Sequence, residues 1–131
     1  MKGYRVSKSK TNPSNDSLQE LQGLVLQFAK DRDWLQFHSP KNISMAISAE
    51  AAELLEHFLW DEGEESLKKT QDAKSRVAIE EEVADVIILS LQFANVTGID
   101  LGKSIRRKLA LNEKKYPIDR SRGNARKYTE L

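Results

Sequence analysis

The chain has no cysteine. Disulfide staples and thiol chemistry are thereby excluded, which is compatible with a cytoplasmic location. Helix breakers are scarce: three prolines and six glycines among 131 residues. Strand-like alternation is absent, and no internal repeat is visible. No apolar run approaches membrane-spanning length. Residues 1–10 hold no apolar stretch that would serve as a signal peptide. There is little net charge, only +1. These absences lead to the expectation of a cytoplasmic all-α protein without a membrane partner.

What is present is unevenly distributed. The length suits one domain, with 39% apolar and 31% charged residues. Residues 50–85 hold 12 acids against 4 bases, a net of −8. Residues 101–131 hold 10 bases against 3 acids, a net of +7. Such a pair of regions suits a ligand that carries both metal ions and phosphates, or the two regions attract each other.

Residues 1–17 are polar and basic and read as a flexible N-terminal arm. Ser17 or Asp16 can cap a helix from Leu18 to about Arg32, with Leu18, Leu21, Val25 and Phe28 as its apolar stripe. Trp34, Phe37 and His38 fall in the connection that follows. Ser39-Pro40 is a strong start signal for a second helix, about 40–60. Residues 61–65 read as an acidic loop around Gly63, and Ser66–Thr70 as a short helical turn. A long helix is expected from about Ala73 to Val96. Its second half, Val86 to Ala94, is apolar on nearly every side, which implies cover from an oligomer. Gly98 ends it, Asp100 can cap a further helix to about Tyr116, and Pro117 stops that one. The expected architecture is a bundle of about four main helices over residues 18–117, with a basic tail over 118–131.

Glu50 and Glu53 interrupt the apolar pattern of the second helix. Three apart, they share a face. Two carboxylates so placed repel each other and lose water near a core, so a cation is expected between them. Glu82 and Asp85 repeat the spacing. Four such carboxylates on facing helices form a hard-oxygen site suited to Mg²⁺ or Mn²⁺, ions that share their remaining positions with waters and substrate phosphates. A single pair would be read as a solvated face. Two pairs, each followed by apolar helix, favour a site. A di-iron centre is disfavoured, because no His stands three residues after a leading acid, and His57 lies seven beyond Glu50. Lys108, Asn112 and Lys115 share one helix face, with Tyr116 beside them, and can hold a polyphosphate; alone, they would be a solvated lysine face. Trp34, Phe37, His38 and Trp60 flank the acidic helix, and indoles can stack on a flat base as well as pack a core.

These residues together resemble the MazG-like all-α nucleoside triphosphate pyrophosphohydrolases. Glu50-x-x-Glu53, 28 residues, then Glu82-x-x-Asp85 is similar to the signature of that family. Arg32-Asp-Trp-x-Gln-Phe-His-x-Pro40, Lys108-x-x-x-Asn112-x-x-Lys115-Tyr-Pro117, Ser121-Arg-Gly and Lys127-Tyr-Thr-Glu-Leu131 resemble its dCTP pyrophosphatase branch. One departure is Ala49, where many members carry a second Glu. The resemblance implies hydrolysis of a nucleoside triphosphate, dCTP or a related dNTP, to the monophosphate and pyrophosphate. It implies Mg²⁺ on Glu50, Glu53, Glu82 and Asp85, with Glu50 orienting or deprotonating the attacking water. It implies base and sugar recognition by Trp34, His38 and Trp60, and phosphate or substrate-edge contacts by Lys108, Asn112, Lys115 and Tyr116. It also implies a homotetramer, a dimer of dimers, with pockets built from more than one chain, and a role in cleansing the nucleotide pool. The competing reading is a non-catalytic helical module that binds partners through its charged faces. Nucleic-acid binding through residues 101–131 is disfavoured, since no DNA-binding motif accompanies that charge.

Overall fold

The computed structural model describes residues 17–131, so the arm expected over residues 1–17 lies, apart from Ser17, outside the described residues. The described residues are helical and form no strand. They divide into two compact units, 17–97 and 98–131.

In the first unit, α1 spans Leu18–Asp31. The Ser17 hydroxyl accepts from the Glu20 N–H at 3.2 Å, which supplies one of the partners a helix start lacks. After α1 the chain turns at Asp33, whose φ of 54° lies in the left-handed region that aspartate tolerates better than most residues. A 3-10 turn, Leu35–Phe37, leads to α2, Pro40–Glu56. The expected Ser39-Pro40 start is present, and the Ser39 hydroxyl accepts from the Asn42 N–H at 3.1 Å. The Asn42 side-chain amide in turn donates to the Phe37 carbonyl at 3.0 Å, tying the turn to the helix.

Two boundaries differ from the sequence reading. The second helix ends at Glu56 rather than near residue 60, and residues 57–60 form turns. Lys69 Nζ donates to the His57 carbonyl at 2.6 Å while pairing with Asp61. A cation on a late carbonyl suits the negative end of a helix and satisfies a group the next turn would otherwise need. The acidic stretch is a loop only at Asp61 and Glu62. From Gly63 it begins α3, Gly63–Gln71, with the Glu62 N–H donating to Glu65 Oε2 at 3.3 Å. Glu64 and Glu65 in the first turn and Lys68 and Lys69 in the last both complement the helix dipole.

The spine is α4, Ala73–Thr97, against which α1, α2 and α3 all pack. Asp72 precedes it, accepting from the Ser75 N–H at 3.0 Å, a bond that lowers the Asp72 carboxyl below its ordinary pKa. Gly98, at φ 70°, ends α4 in the conformation that favours glycine after a helix. The buried apolar residues are few: Ala29, Ile43, Ile79, Leu91 and Ala94. Leu24, Phe28, Met45, Leu55, Ile87 and Ile88 are each more than two-fifths exposed.

In the second unit, α5 spans Leu101–Lys115 and is capped by Asp100, which accepts from the Lys103 N–H at 2.9 Å. Beyond Pro117 come a single helical turn, α6, Ile118–Ser121, and a 3-10 turn, Tyr128–Glu130. Tyr128 returns to the end of α5. Its ring meets Tyr116 edge-on with centroids 6.1 Å apart, and Lys115 Nζ lies 4.8 Å from its centroid.

Candidate metal centre

Ile43 fixes the buried side of α2, with 2% of its surface exposed. Glu50 lies seven residues on, and a seven-residue step returns to nearly the same helix face. The carboxylate is therefore carried by the core stripe and not by the solvated face. Its Oε2 atom is buried and has no hydrogen-bond partner among the described residues. Glu53 is one turn further along α2, and Glu82 comes from α4. Glu50, Glu53 and Glu82 each offer an oxygen within 4.8 Å of the other two. Asp85, one turn along α4 from Glu82, is outside that trio but close enough for its charge to act on Glu50.

The electrostatics follow from this placement. Burial, then the charge of Glu53 and a side-chain hydrogen bond with it, then the charges of Asp85 and Glu82, push the Glu50 carboxyl up to about 6. Lys69 pairs with Asp61, and Arg76 with Glu80 at 2.7 Å. His57 Nε2 stands 3.8 Å from Glu82 Oε1, too long for a hydrogen bond but within ion-pair reach. A buried, unpartnered carboxylate oxygen beside two further carboxylates is the donor chemistry of a hard divalent cation, so the residues present fit Mg²⁺ or Mn²⁺.

A cavity of about 440 Å³ opens beside the trio, walled by Glu53, Glu56, His57 and Glu82. At the other end of α2, His38 Nδ1 meets Gln92 Nε2 at 3.0 Å. The start of α2 thus lies against the later part of α4, and Glu50 against Glu82, so the two helices run antiparallel. Trp34 packs edge-on against both Phe28 and His38, with centroids 5.8 and 6.5 Å apart. Trp60 follows α2 and is 93% exposed. The two tryptophans are not brought together within one chain. They flank a helix of 17 residues, about 25 Å long at 1.5 Å per residue.

Lys108, Asn112, Lys115 and Tyr116 belong to the second unit, on and just after α5. The Tyr116 N–H donates to the Asn112 carbonyl at 2.8 Å, which closes α5. A cavity of about 810 Å³ in this unit is lined by Glu113, Tyr116, Ile118, Asp119 and Arg122.

His57 and Gln92 were not singled out as site residues by sequence reasoning. The signal for His57 was its seven-residue step from Glu50. The signal for Gln92 was its polarity within the otherwise apolar Val86–Ala94 stretch, seven residues from Asp85.

Comparison with known proteins adds an independent line. The model of the MazG-like family matches residues 45–131. The chain is 36% identical over 118 residues to dCTP pyrophosphatase 1 of Bos taurus, covering 90% of this chain and 70% of that protein. It is 36% identical over 115 residues to dCTP pyrophosphatase 1 of Homo sapiens, covering 88% and 68%. Among solved structures, a pyrophosphatase from Archaeoglobus fulgidus superposes with a TM-score of 0.70 at 39% identity, over 76% of this chain and 92% of that one.

Proposed function

The chain belongs to the MazG-like family, and from that premise we propose that it is a nucleoside triphosphate pyrophosphohydrolase acting on dCTP or a closely related dNTP. The observation that carries this reading is the buried Glu50 oxygen, unpartnered, with oxygens of Glu53 and Glu82 within 4.8 Å. The naming of the relatives as dCTP pyrophosphatases supports the choice of substrate.

Glu50, Glu53, Glu82 and Asp85 would hold Mg²⁺ or Mn²⁺. When bound, such an ion neutralises phosphate charge and makes water a better nucleophile. Glu50 orients or deprotonates the attacking water through a carboxylate oxygen. Water adds to the α phosphorus, the bond to the β-phosphate bridging oxygen breaks, and pyrophosphate leaves. Lys108, Asn112, Lys115 and Tyr116 bind the phosphates or the substrate edge. Trp34, His38 and Trp60 recognise base and sugar. The carboxylates and His38 sit toward opposite ends of the α2–α4 pair. Glu82 and Gln92 are ten residues apart on α4, about 15 Å along the axis, a span that an extended nucleotide can cover.

The same reading gives the assembly. Trp34 and Trp60 contact one nucleotide only if they come from different copies, since one chain holds them a helix length apart. The exposed apolar side chains on α1, α2 and α4 supply the interface. The proposed state is a homotetramer of 14.9 kDa chains, a dimer of dimers, acting in the cytoplasm to cleanse the nucleotide pool. Within it, residues 18–117 form the functional domain, with an arm before and a basic tail after. No nucleic-acid or membrane partner is proposed, and no single helix among the described residues is long and apolar enough to cross a membrane.

The test is a product-resolved assay across the dNTPs with Mg²⁺, run beside light scattering. We expect dCTP to give dCMP and pyrophosphate, from a species of four chains. Release of orthophosphate would contradict cleavage between the α and β phosphates, and no turnover of any nucleotide would favour the binding-module alternative. A monomer would overturn the shared pocket.

A further inference from the structure

One buried polar side chain has no part in the chemistry above. Gln92 lies in the middle of α4 with only 2% of its surface exposed. Burying an amide is costly unless its hydrogen bonds are made. Those bonds run through three elements of the first unit and fix a proton position at the far end.

The starting point is the backbone carbonyl of Gln22 on α1, which can only accept. Asn95 therefore turns its amide nitrogen toward it, and Nδ2 donates to the Gln22 carbonyl at 3.0 Å. The same nitrogen donates to Gln92 Oε1 at 3.1 Å. Turning the Gln92 amide over would set two NH₂ groups against each other, so its orientation follows from that of Asn95. Gln92 Nε2 is left facing His38 Nδ1 at 3.0 Å, as the donor. His38 Nδ1 must then accept, and the ring proton of the neutral imidazole resides on Nε2. Trp34, edge-on to His38, holds the ring from another side. The half-buried histidine thus offers a donor at Nε2 and no acceptor.

We propose that Gln92 is a positioning residue that holds His38 as the Nε2–H tautomer, so that His38 donates a hydrogen bond to an acceptor on the nucleotide base, a ring carbonyl or an unprotonated ring nitrogen. The ligand half of this inference rests on the nucleotide reading given above; the tautomer is a property of the free chain. A site built to donate discriminates against a base edge that presents an N–H at that position, because two donors would face each other without a partner.

The experiment is long-range ¹H–¹⁵N correlation of the imidazole nitrogens in the ¹⁵N-labelled full chain, without nucleotide. The chain has two histidines, and comparison with His57→Gln assigns the signals. We expect His38 to show an unprotonated Nδ1 and a protonated Nε2. Gln92→Met keeps the volume and removes the donor. Asn95→Leu keeps Gln92 but frees its amide to turn over. Both variants should give a mixture of His38 tautomers. Calorimetry with the α,β-imido analogue of dCTP should show affinity in Gln92→Met weakened in proportion to the lost Nε2–H population, about twofold for an even mixture of tautomers. A wild-type ring protonated on Nδ1 overturns the tautomer. So does an unchanged tautomer in both variants, whether or not one of them is less stable. The expected ring signature with no binding of the analogue overturns the assigned ligand, and with it the nucleotide reading, on evidence separate from the tautomer.

Discussion

Replacing Glu53 or Glu82 with glutamine is expected to lower dCTP turnover by about a thousandfold, the size seen when one preorganised charge-stabilising group is lost. Glutamine keeps the shape and hydrogen-bonding reach of glutamate and removes only the charge. Glu53 and Glu82 reach the same point from two helices, so each change takes one negative charge from a cluster whose oxygens lie within 4.8 Å of one another. Neither residue is part of the buried apolar set, so the fold should survive. Glu64→Gln is the matched control. It removes an exposed carboxylate from the first turn of α3, and turnover should change less than about twofold, as for surface substitutions generally. Steady-state kinetics on the three variants, with circular dichroism to check folding, reads the result. Equal loss in all three would remove the site from the Glu50 cluster.

Divalent cation should stabilise the chain strongly, and Glu50 sets the sign of its pH dependence. The Glu50 carboxyl is raised from 4.5 to about 6, so the folded state holds its proton more tightly than the unfolded state does. Below about 4.5 the group is protonated in both states and imposes no penalty. As pH rises through about 6 the folded carboxyl ionises against its neighbours, and the metal-free protein loses stability. Glu50→Gln should therefore melt higher than wild type at pH 7 without metal, and no higher at pH 4. Adding Mg²⁺ at pH 7 reverses the order. At a hundredfold excess over Kd, one bound ion contributes about 2.7 kcal/mol to the wild type. The glutamine variant should gain little and turn over no substrate. Differential scanning calorimetry with EDTA or Mg²⁺ reads both effects. Wild type and Glu50→Gln responding alike to Mg²⁺ would contradict the metal site.

The local signals in the chain were direct. Ser17, Ser39-Pro40, Asp100 and Gly98 mark helix ends because caps and left-handed turns depend on the residue itself. The two carboxylate pairs were visible because their spacing places charge on an apolar face. The polarity of residues 61–65 points to a loop and hides the start of α3, although acids in a first turn stabilise a helix start. Lys69, twelve residues past His57, meets the carbonyl at the end of α2, and no local pattern carries that. The His38–Gln92 contact joins residues 54 apart and exists only because α2 and α4 run antiparallel. The separation of Trp34 and Trp60 could have been computed from helix length alone. With both proposed to recognise one base, that separation argues for two copies of the chain.

Hydrolysis in ¹⁸O-labelled water tests attack on the α phosphorus most directly. One turnover of dCTP with Mg²⁺ should place ¹⁸O in the dCMP phosphate and leave the pyrophosphate unlabelled, as read by mass spectrometry. Label in the pyrophosphate would show attack at the β phosphorus and contradict it.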